Sequence, residues 1–230
     1  MAESGPCERL LFLLERGEQV EVDDFNRVLL EEIGPGLGDR DEVSYLSVHL
    51  ADAISREASV GPGAGTASFA GVLEIGLDDS SVWESLAPRA SVIAAAHAYR
   101  VERRHVKRYP RSWPDGTRSP GLFMVSPVVR AAGLSHEQFD AHWRDRHAPL
   151  ALRHHVGIWD YRQSGVCQVL TPGSPVYDGI AHMGFPDLDS YRTGFFDSPE
   201  GRRIITEDIE RFLTLGRSQA MLLGETVLKS

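Results

Sequence analysis

The sequence predicts an α+β fold: two ferredoxin-like β-α-β-β-α-β repeats whose bare sheet faces close on each other as one intramolecular barrel. Three observations carry the prediction. The segment GVLEIGLDD at 71–79 superposes on GIAHMGFPD at 179–187, with Gly71, Gly76 and Asp79 over Gly179, Gly184 and Asp187, and Trp83 over Tyr191. The elements around the two segments come in the same order. Between the copies, residues 107–121 are rich in Pro, Gly and Arg, as an exposed connection should be.

Copy one opens with the apolar run Arg9–Leu14 and a helix containing Phe25, Val28, Leu29 and Ile33. A strand over Glu42–Leu50, a Gly/Pro-rich loop over Ser59–Ser68, the repeated strand, a second helix and a last strand over Ser91–Arg103 complete it. Copy two opens with Leu122–Val129, a turn at 131–133 and a helix over Ser135–Leu152 containing Phe139, Trp143 and Leu150. Strands over Ile158–Val169 and Gln219–Leu228 enclose a loop at Thr171–Pro175, the repeated strand and a second helix. Each copy follows the split βαβ plan. Two helices cover one face of a four-stranded sheet and leave the other bare, so two copies in one chain bury those faces together. The expected divisions are 1–106, a linker at 107–121, and 122–230.

The chain has 230 residues, 42% of them hydrophobic, and a formal net charge of −9. It lacks the basic face that phosphate neutralisation requires, so no nucleic-acid partner is expected. It also lacks an apolar span or a basic amphipathic segment, so no membrane partner is expected. Cys7 and Cys167 are too few for a disulfide framework and suit a reducing compartment, which points to the cytoplasm. Neither G-x-G-x-x-G, a Walker loop, G-x-S-x-G nor C-x-x-C occurs, which argues against nucleotide and covalent acyl chemistry.

Ser135 is a good N-cap, and Gln138 completes a capping box. Phe139, Trp143 and Leu150 define the buried stripe. In a regular helix His142 and His147 point about 140° apart, so they are not expected to meet at one ligand atom and no metal is expected there. Pro149 removes an N–H and is expected to break or kink the helix right after His147. His147 then either satisfies the carbonyls left open or does chemistry. Aligning Phe25 with Phe139 puts Val28, Leu29 and Ile33 under His142, Trp143 and His147, while Glu74 lies under His182. The fold does not demand histidine at these positions, so copy two is where chemistry is expected.

Other groups join the candidates. His182 shares a strand face with Asp178 and Ile180, and a buried Asp178 could orient it. His97 and Tyr99 share a strand face bordered by alanines, which reads either as room for a ligand or as tight packing. Trp159, Tyr161, Tyr177, Phe195 and Phe196 suit a pocket for a flat ligand or, equally, a core. Arg103, Arg104, Lys107, Arg108 and Arg111 read as a solvated strand end and linker, with attraction of an anionic substrate as the lesser reading.

The pattern F-x-x-x-W-x-x-x-H-A-P-L, supplied by Phe139, Trp143, His147, Ala148, Pro149 and Leu150, together with Leu122–Val129 and 177–182, resembles the EthD family of the dimeric α+β barrel superfamily. The resemblance runs from Leu122 to about Leu228. The first half shares only the element order and the 71–79 segment, so it reads as a degenerate tandem copy. The resemblance implies a barrel with a cleft between each sheet and its helices. Such relatives include polyketide cyclases, decarboxylases, dehydratases, cofactor-independent oxygenases and haem-binding branches, and EthD itself resembles an accessory protein of an ether-degrading system.

The leading expectation is a cofactor-independent lyase or cyclase acting on a hydrophobic aromatic or polyketide-like carbonyl compound. His147 would serve as general acid or base, with His182 or His142 as second polar group. Trp143, Tyr161, Tyr177, Asp178, His97 and Tyr99 would surround the substrate. Histidine is the natural proton shuttle near neutral pH. The alternative is a non-catalytic small-molecule-binding accessory protein; a third reading is haem held by His147 or His182. A homodimer is left open.

Overall fold

A computed structural model describes residues 9–59, 69–77, 83–217 and 220–230. Cys7, Asp79, Gln219 and nearly all of the Ser59–Ser68 loop lie outside the described residues.

Eight strands, β1 (Arg9–Arg16), β2 (Val43–Leu50), β3 (Gly71–Leu77), β4 (Ile93–Lys107), β5 (Leu122–Val128), β6 (Asp160–Val169), β7 (Gly179–Phe185) and β8 (Met221–Lys229), form one closed antiparallel barrel. The order around it is β1-β3-β2-β8-β5-β7-β6-β4. Within that ring the first four strands run 4-1-3-2, and the last four run 8-5-7-6, the same path four strands on. The seams are β2 against β8 and β4 against β6.

Both faces of most strands are buried, which is why β1 reads as an unbroken apolar run rather than an alternation. Leu10, Phe12 and Leu14 pack outward with Phe25 and Leu29 of the helical layer, while Leu11 and Leu13 pack inward with Tyr99, Val101 and Phe123. An eight-stranded barrel leaves an interior that side chains can just fill.

The outer layer holds α1 (Val22–Val28), α2 (Gly34–Gly38), α3 (Ala53–Ala58), α4 (Trp83–Leu86), α5 (His136–His142), α6 (Ala148–His154), α7 (Leu188–Gly194) and α8 (Pro199–Phe212). Two π-helical segments interrupt it: Leu29–Ile33 joins α1 to α2, and Trp143–His147 joins α5 to α6. The expected break at Pro149 does not occur. Instead the Ala148 N–H bonds to the Trp143 carbonyl five residues back, and the chain stays helical to His154. The inserted residue places Pro149 in the opening turn of a new α-helix, where a missing N–H costs nothing. The capping box at the other end forms, with Ser135 Oγ accepting from Gln138 N at 3.1 Å and Ser135 N donating to Gln138 Oε1 at 2.8 Å.

The sheet leaves room for this helix only because Gly179 has no side chain. A Cβ there would lie 2.4 Å from Trp143 Cζ3 and 3.3 Å from Phe139 Cζ; at Gly71 it would lie 3.2 Å from Phe25 Cε1. Gly179→Ala is therefore expected to lower stability by about 1–3 kcal/mol, the usual cost of overpacking. The urea midpoint measures it, and an unchanged midpoint would show that the helix can slide.

Three expectations need correction. Arg103 is not on a solvated strand end: β4 continues to Lys107, and the Arg103 side chain is 4% exposed against Glu74. The linker is not merely an exposed connection either, since Ser119 is fully buried and Tyr109 stacks on Trp159 with centroids 4.6 Å apart. Cys167 is disulfide-bonded, so reduced thiols no longer argue for the cytoplasm. Among the described residues, no helix is long and apolar enough to cross a membrane.

Candidate active site

The π-helical segment changes the geometry of the two histidines on the Ser135 helix. Residues five apart, which diverge in an α-helix, come onto one side when the hydrogen bonding runs i to i+5. His142 and His147 consequently reach the same carboxylate. His142 Nε2 lies 2.9 Å from Asp208 Oδ1, and His147 Nδ1 lies 2.9 Å from Asp208 Oδ2. The expected 140° separation is thus overturned by one inserted residue.

Asp208 sits on α8 and is 3% exposed. Burial alone would favour its neutral form, but the hydrogen bonds and charges of His147 and His142 outweigh it and hold its pKa below the usual carboxylate value. An ionised carboxylate only accepts, so each imidazole donates the N–H that faces it. In neutral His147 the proton is therefore on Nδ1, and the Nε2 lone pair has no hydrogen-bond partner among the described residues. The setting is aromatic: Phe212 lies 4.7 Å from the His142 ring and 5.1 Å from the His147 ring, centroid to centroid. Behind them Trp143 Nε1 donates to Tyr161 Oη at 3.2 Å, and Gln163 Nε2 donates to the same oxygen and to the Trp143 carbonyl, both at 3.0 Å.

Comparison with known proteins bears on this helix directly. Residues 131–216, which contain both histidines and Asp208, match the model of the EthD domain. This segment is an EthD domain. Among curated proteins none matches the chain in sequence. Among solved structures, an anthrone oxidase-like protein superposes with a TM-score of 0.61 at 11% identity, covering 96% of this chain and 93% of the other. A monooxygenase by provisional assignment, from Lactobacillus acidophilus NCFM, gives 0.52 at 8% identity, covering 96% and 95%. A mutant chlorite dismutase from Candidatus Nitrospira defluvii gives 0.51 at 11% identity, covering 96% and 92%. At these identities the likeness establishes a shared barrel fold.

The other candidate residues do not converge on the EthD-domain histidines. His182 points into the barrel and is fully buried, whereas its neighbour Ala181 packs outward with Phe139 and Trp143. Asp178 does not orient His182; it pairs with Arg130 and lies 3.4 Å from His136 Nδ1. His97 is held between Ser174 Oγ at 2.9 Å and Glu15 Oε1 at 3.1 Å, and Tyr99 donates to the Pro175 carbonyl at 2.9 Å. Tyr99 and Tyr177 belong to the barrel core, with centroids 6.0 Å apart. Trp159 stacks on the linker, and Phe195 and Phe196 pack on His155. Of the expected substrate-side groups, only Trp143 and Tyr161 adjoin the histidine pair.

Several titrating groups lie in this framework, and their pH effects have opposite signs. Burial pushes His49 down to about 4, His105 to about 3 and His155 to about 4. The unfolded chain therefore takes up these protons first, and stability falls as pH drops below about 6.5. Burial raises Asp160 to about 6, so the folded state takes up that proton first and gains stability over the lower part of the same range. Three histidines outweigh one aspartate. Thermal midpoints are expected to fall from pH 7 to pH 4, and to fall more steeply in Asp160→Asn. A flat profile would mean these imidazoles are not held neutral.

Proposed function

We propose that the chain is an enzyme that transfers a proton on a small hydrophobic, aromatic or polyketide-like carbonyl compound, with His147 of the EthD domain as general acid and base. The observation that carries this reading is the Asp208 carboxylate on His147 Nδ1, which fixes the ring and its tautomer and leaves Nε2 to exchange a proton with a substrate. His142, on the other oxygen of the same carboxylate, is the second polar group. Trp143 and Phe212 pack as buried aromatic core beside the pair, and these apolar surroundings favour an apolar substrate at His147. Dehydration, decarboxylation, aldol-type cyclisation and C–C lysis all begin with a proton removed or delivered beside a carbonyl, so the reaction belongs to the lyase or cyclase type and draws on no further cofactor. His182, on the inner side of β7, takes no part in it. The neighbours named as an anthrone oxidase-like protein, a monooxygenase and a chlorite dismutase bear enzyme names, which supports a catalyst over a carrier.

The chain is further proposed to be a tandem ferredoxin-like repeat, dividing as 1–106, 107–121 and 122–230. The matching strand paths support this, as do the π-helical segments and the prolines Pro35 and Pro149, each pair 114 positions apart. The test of function is incubation with a panel of aromatic and polyketide-like carbonyl compounds, read by mass spectrometry. Conversion by the wild type that is lost in His147→Asn is expected. Retention of an unconverted compound by both proteins would make this a binding protein instead.

A further inference from the structure

The barrel interior is graded along its axis. One end is apolar, with Leu13, Val72, Tyr99 and Tyr177. The other carries six charges in ion pairs, five of them on buried side chains and the sixth on Arg9, which is 28% exposed. Arg9 and Arg103 meet Glu74 Oε1 at 2.8 and 2.6 Å. Arg162 meets Glu225 Oε1 at 2.7 Å and Asp160 Oδ1 at 2.6 Å. Between the two ends sit His49, Glu74 and His182, all fully buried.

Those three side chains are left incomplete. Both ring nitrogens of His49, both of His182, and Oε2 of Glu74 are buried without a hydrogen-bond partner, the nearest carboxylate oxygen to His49 Nε2 outside the trio being Glu225 Oε1 at 3.7 Å. Native interiors rarely leave such groups unsatisfied, and five on three adjoining residues call for an explanation. The two imidazole centroids are 5.1 Å apart, and one donor atom from each of the three residues falls within 4.8 Å of the others.

We propose that His49, Glu74 and His182 bind a divalent transition-metal ion inside the barrel. Two imidazoles and one carboxylate suit zinc or ferrous iron and leave coordination positions open. Bonds of about 2.0–2.2 Å set tetrahedral donor atoms about 3.4 Å apart, so side chains now within 4.8 Å of one another must draw together by up to about an ångström and a half, which rotation of the three side chains would supply. Arg9 and Arg103 hold Oε1 of Glu74 and so aim Oε2 at the site, in the way outer partners commonly orient a ligand. The three arginines and three carboxylates balance, so the ion adds positive charge that a small anion must offset. A cavity of about 260 Å³ at this end, whose lining includes Arg9, Arg103, Arg108, Arg111 and Arg162 together with the Asp160 carboxylate, offers room for one beside Arg108. This site lies across β7 from His147 and stands or falls separately from the proposed proton transfer.

The test is titration of chelator-treated full-length protein with Co²⁺ in chloride buffer, followed by visible d–d absorption and competition with Zn²⁺. One equivalent is expected to bind in the wild type and in His136→Asn, an exposed control, with a rise in thermal midpoint. Affinity should drop by at least about 100-fold in Glu74→Gln and in His182→Gln, each confirmed folded by circular dichroism. No spectral change in the wild type overturns the proposal whatever the variants do. So does tight binding that survives in both folded variants.

Discussion

Replacing His147 with asparagine is expected to lower turnover by about 10²–10⁴-fold, the range that one positioned acid–base group contributes. The unfolding free energy should stay within about 1 kcal/mol of the wild type. Asparagine carries its amide nitrogen near the place of Nδ1 and can go on donating to Asp208 Oδ2, now 2.9 Å away. It has no counterpart of Nε2 that could exchange a proton. Alanine is the poorer probe, because it strips a partner from a carboxylate that is only 3% exposed; leaving a buried acceptor short of a donor costs about 1–3 kcal/mol. His142→Gln, which keeps a donor at the place of Nε2, separates the two imidazoles by its own effect on rate. Steady-state kinetics over pH, run beside urea denaturation, read both quantities. Normal turnover in His147→Asn would remove His147 from the chemistry and leave it as a structural partner of Asp208.

The helix bearing these groups was legible in part. Ser135 and Gln138 announce its start, and Phe139 and Trp143 its buried side, because capping and stripe depend on local spacing alone. The π-helical segment was not legible, since reading a helix at 100° per residue assumes one uniform ladder. Its trace in the sequence is a proline in each copy, Pro35 and Pro149, set just past the inserted turn. Asp208 was missed although its position announces it: Gly201, Ile205, Asp208 and Phe212 are the buried stripe of α8, and a carboxylate in such a stripe needs a partner. The barrel interior shows a different limit. Glu74 and His182 align between the copies, but only closure of the sheet reveals that matching positions on β3 and β7 meet at its centre. Arg103 looks like surface in sequence because the carboxylate that makes its burial tolerable, Glu74, lies 29 positions away on another strand.

Arg162→Met is expected to give the largest loss of stability, about 3–5 kcal/mol, because it breaks a buried charge network by taking away the shared cation. Arg162 is 4% exposed and stands between Asp160, 2% exposed, and Glu225, fully buried. Burial works against a charged Glu225, yet Arg162 and His49, with hydrogen bonds from Arg162 and Tyr109, hold it at about 2. Without the guanidinium, Tyr109 at 2.7 Å and Ser119 at 2.9 Å still donate to Glu225 Oε2, while Oε1 and Asp160 lose their cation. At pH 7 one of these acids must then take up a proton or remain charged in an apolar interior, and either course costs free energy. Asp160→Asn in the same background should recover part of the loss, since it removes one stranded charge. Arg104→Met makes the contrast: its pair with Asp140 is about a quarter exposed on each side, and its loss should cost within about 1 kcal/mol. Urea midpoints at pH 7 for the four proteins decide the matter. A loss in Arg162→Met no larger than that in Arg104→Met would show that water reaches the barrel interior and screens its charges.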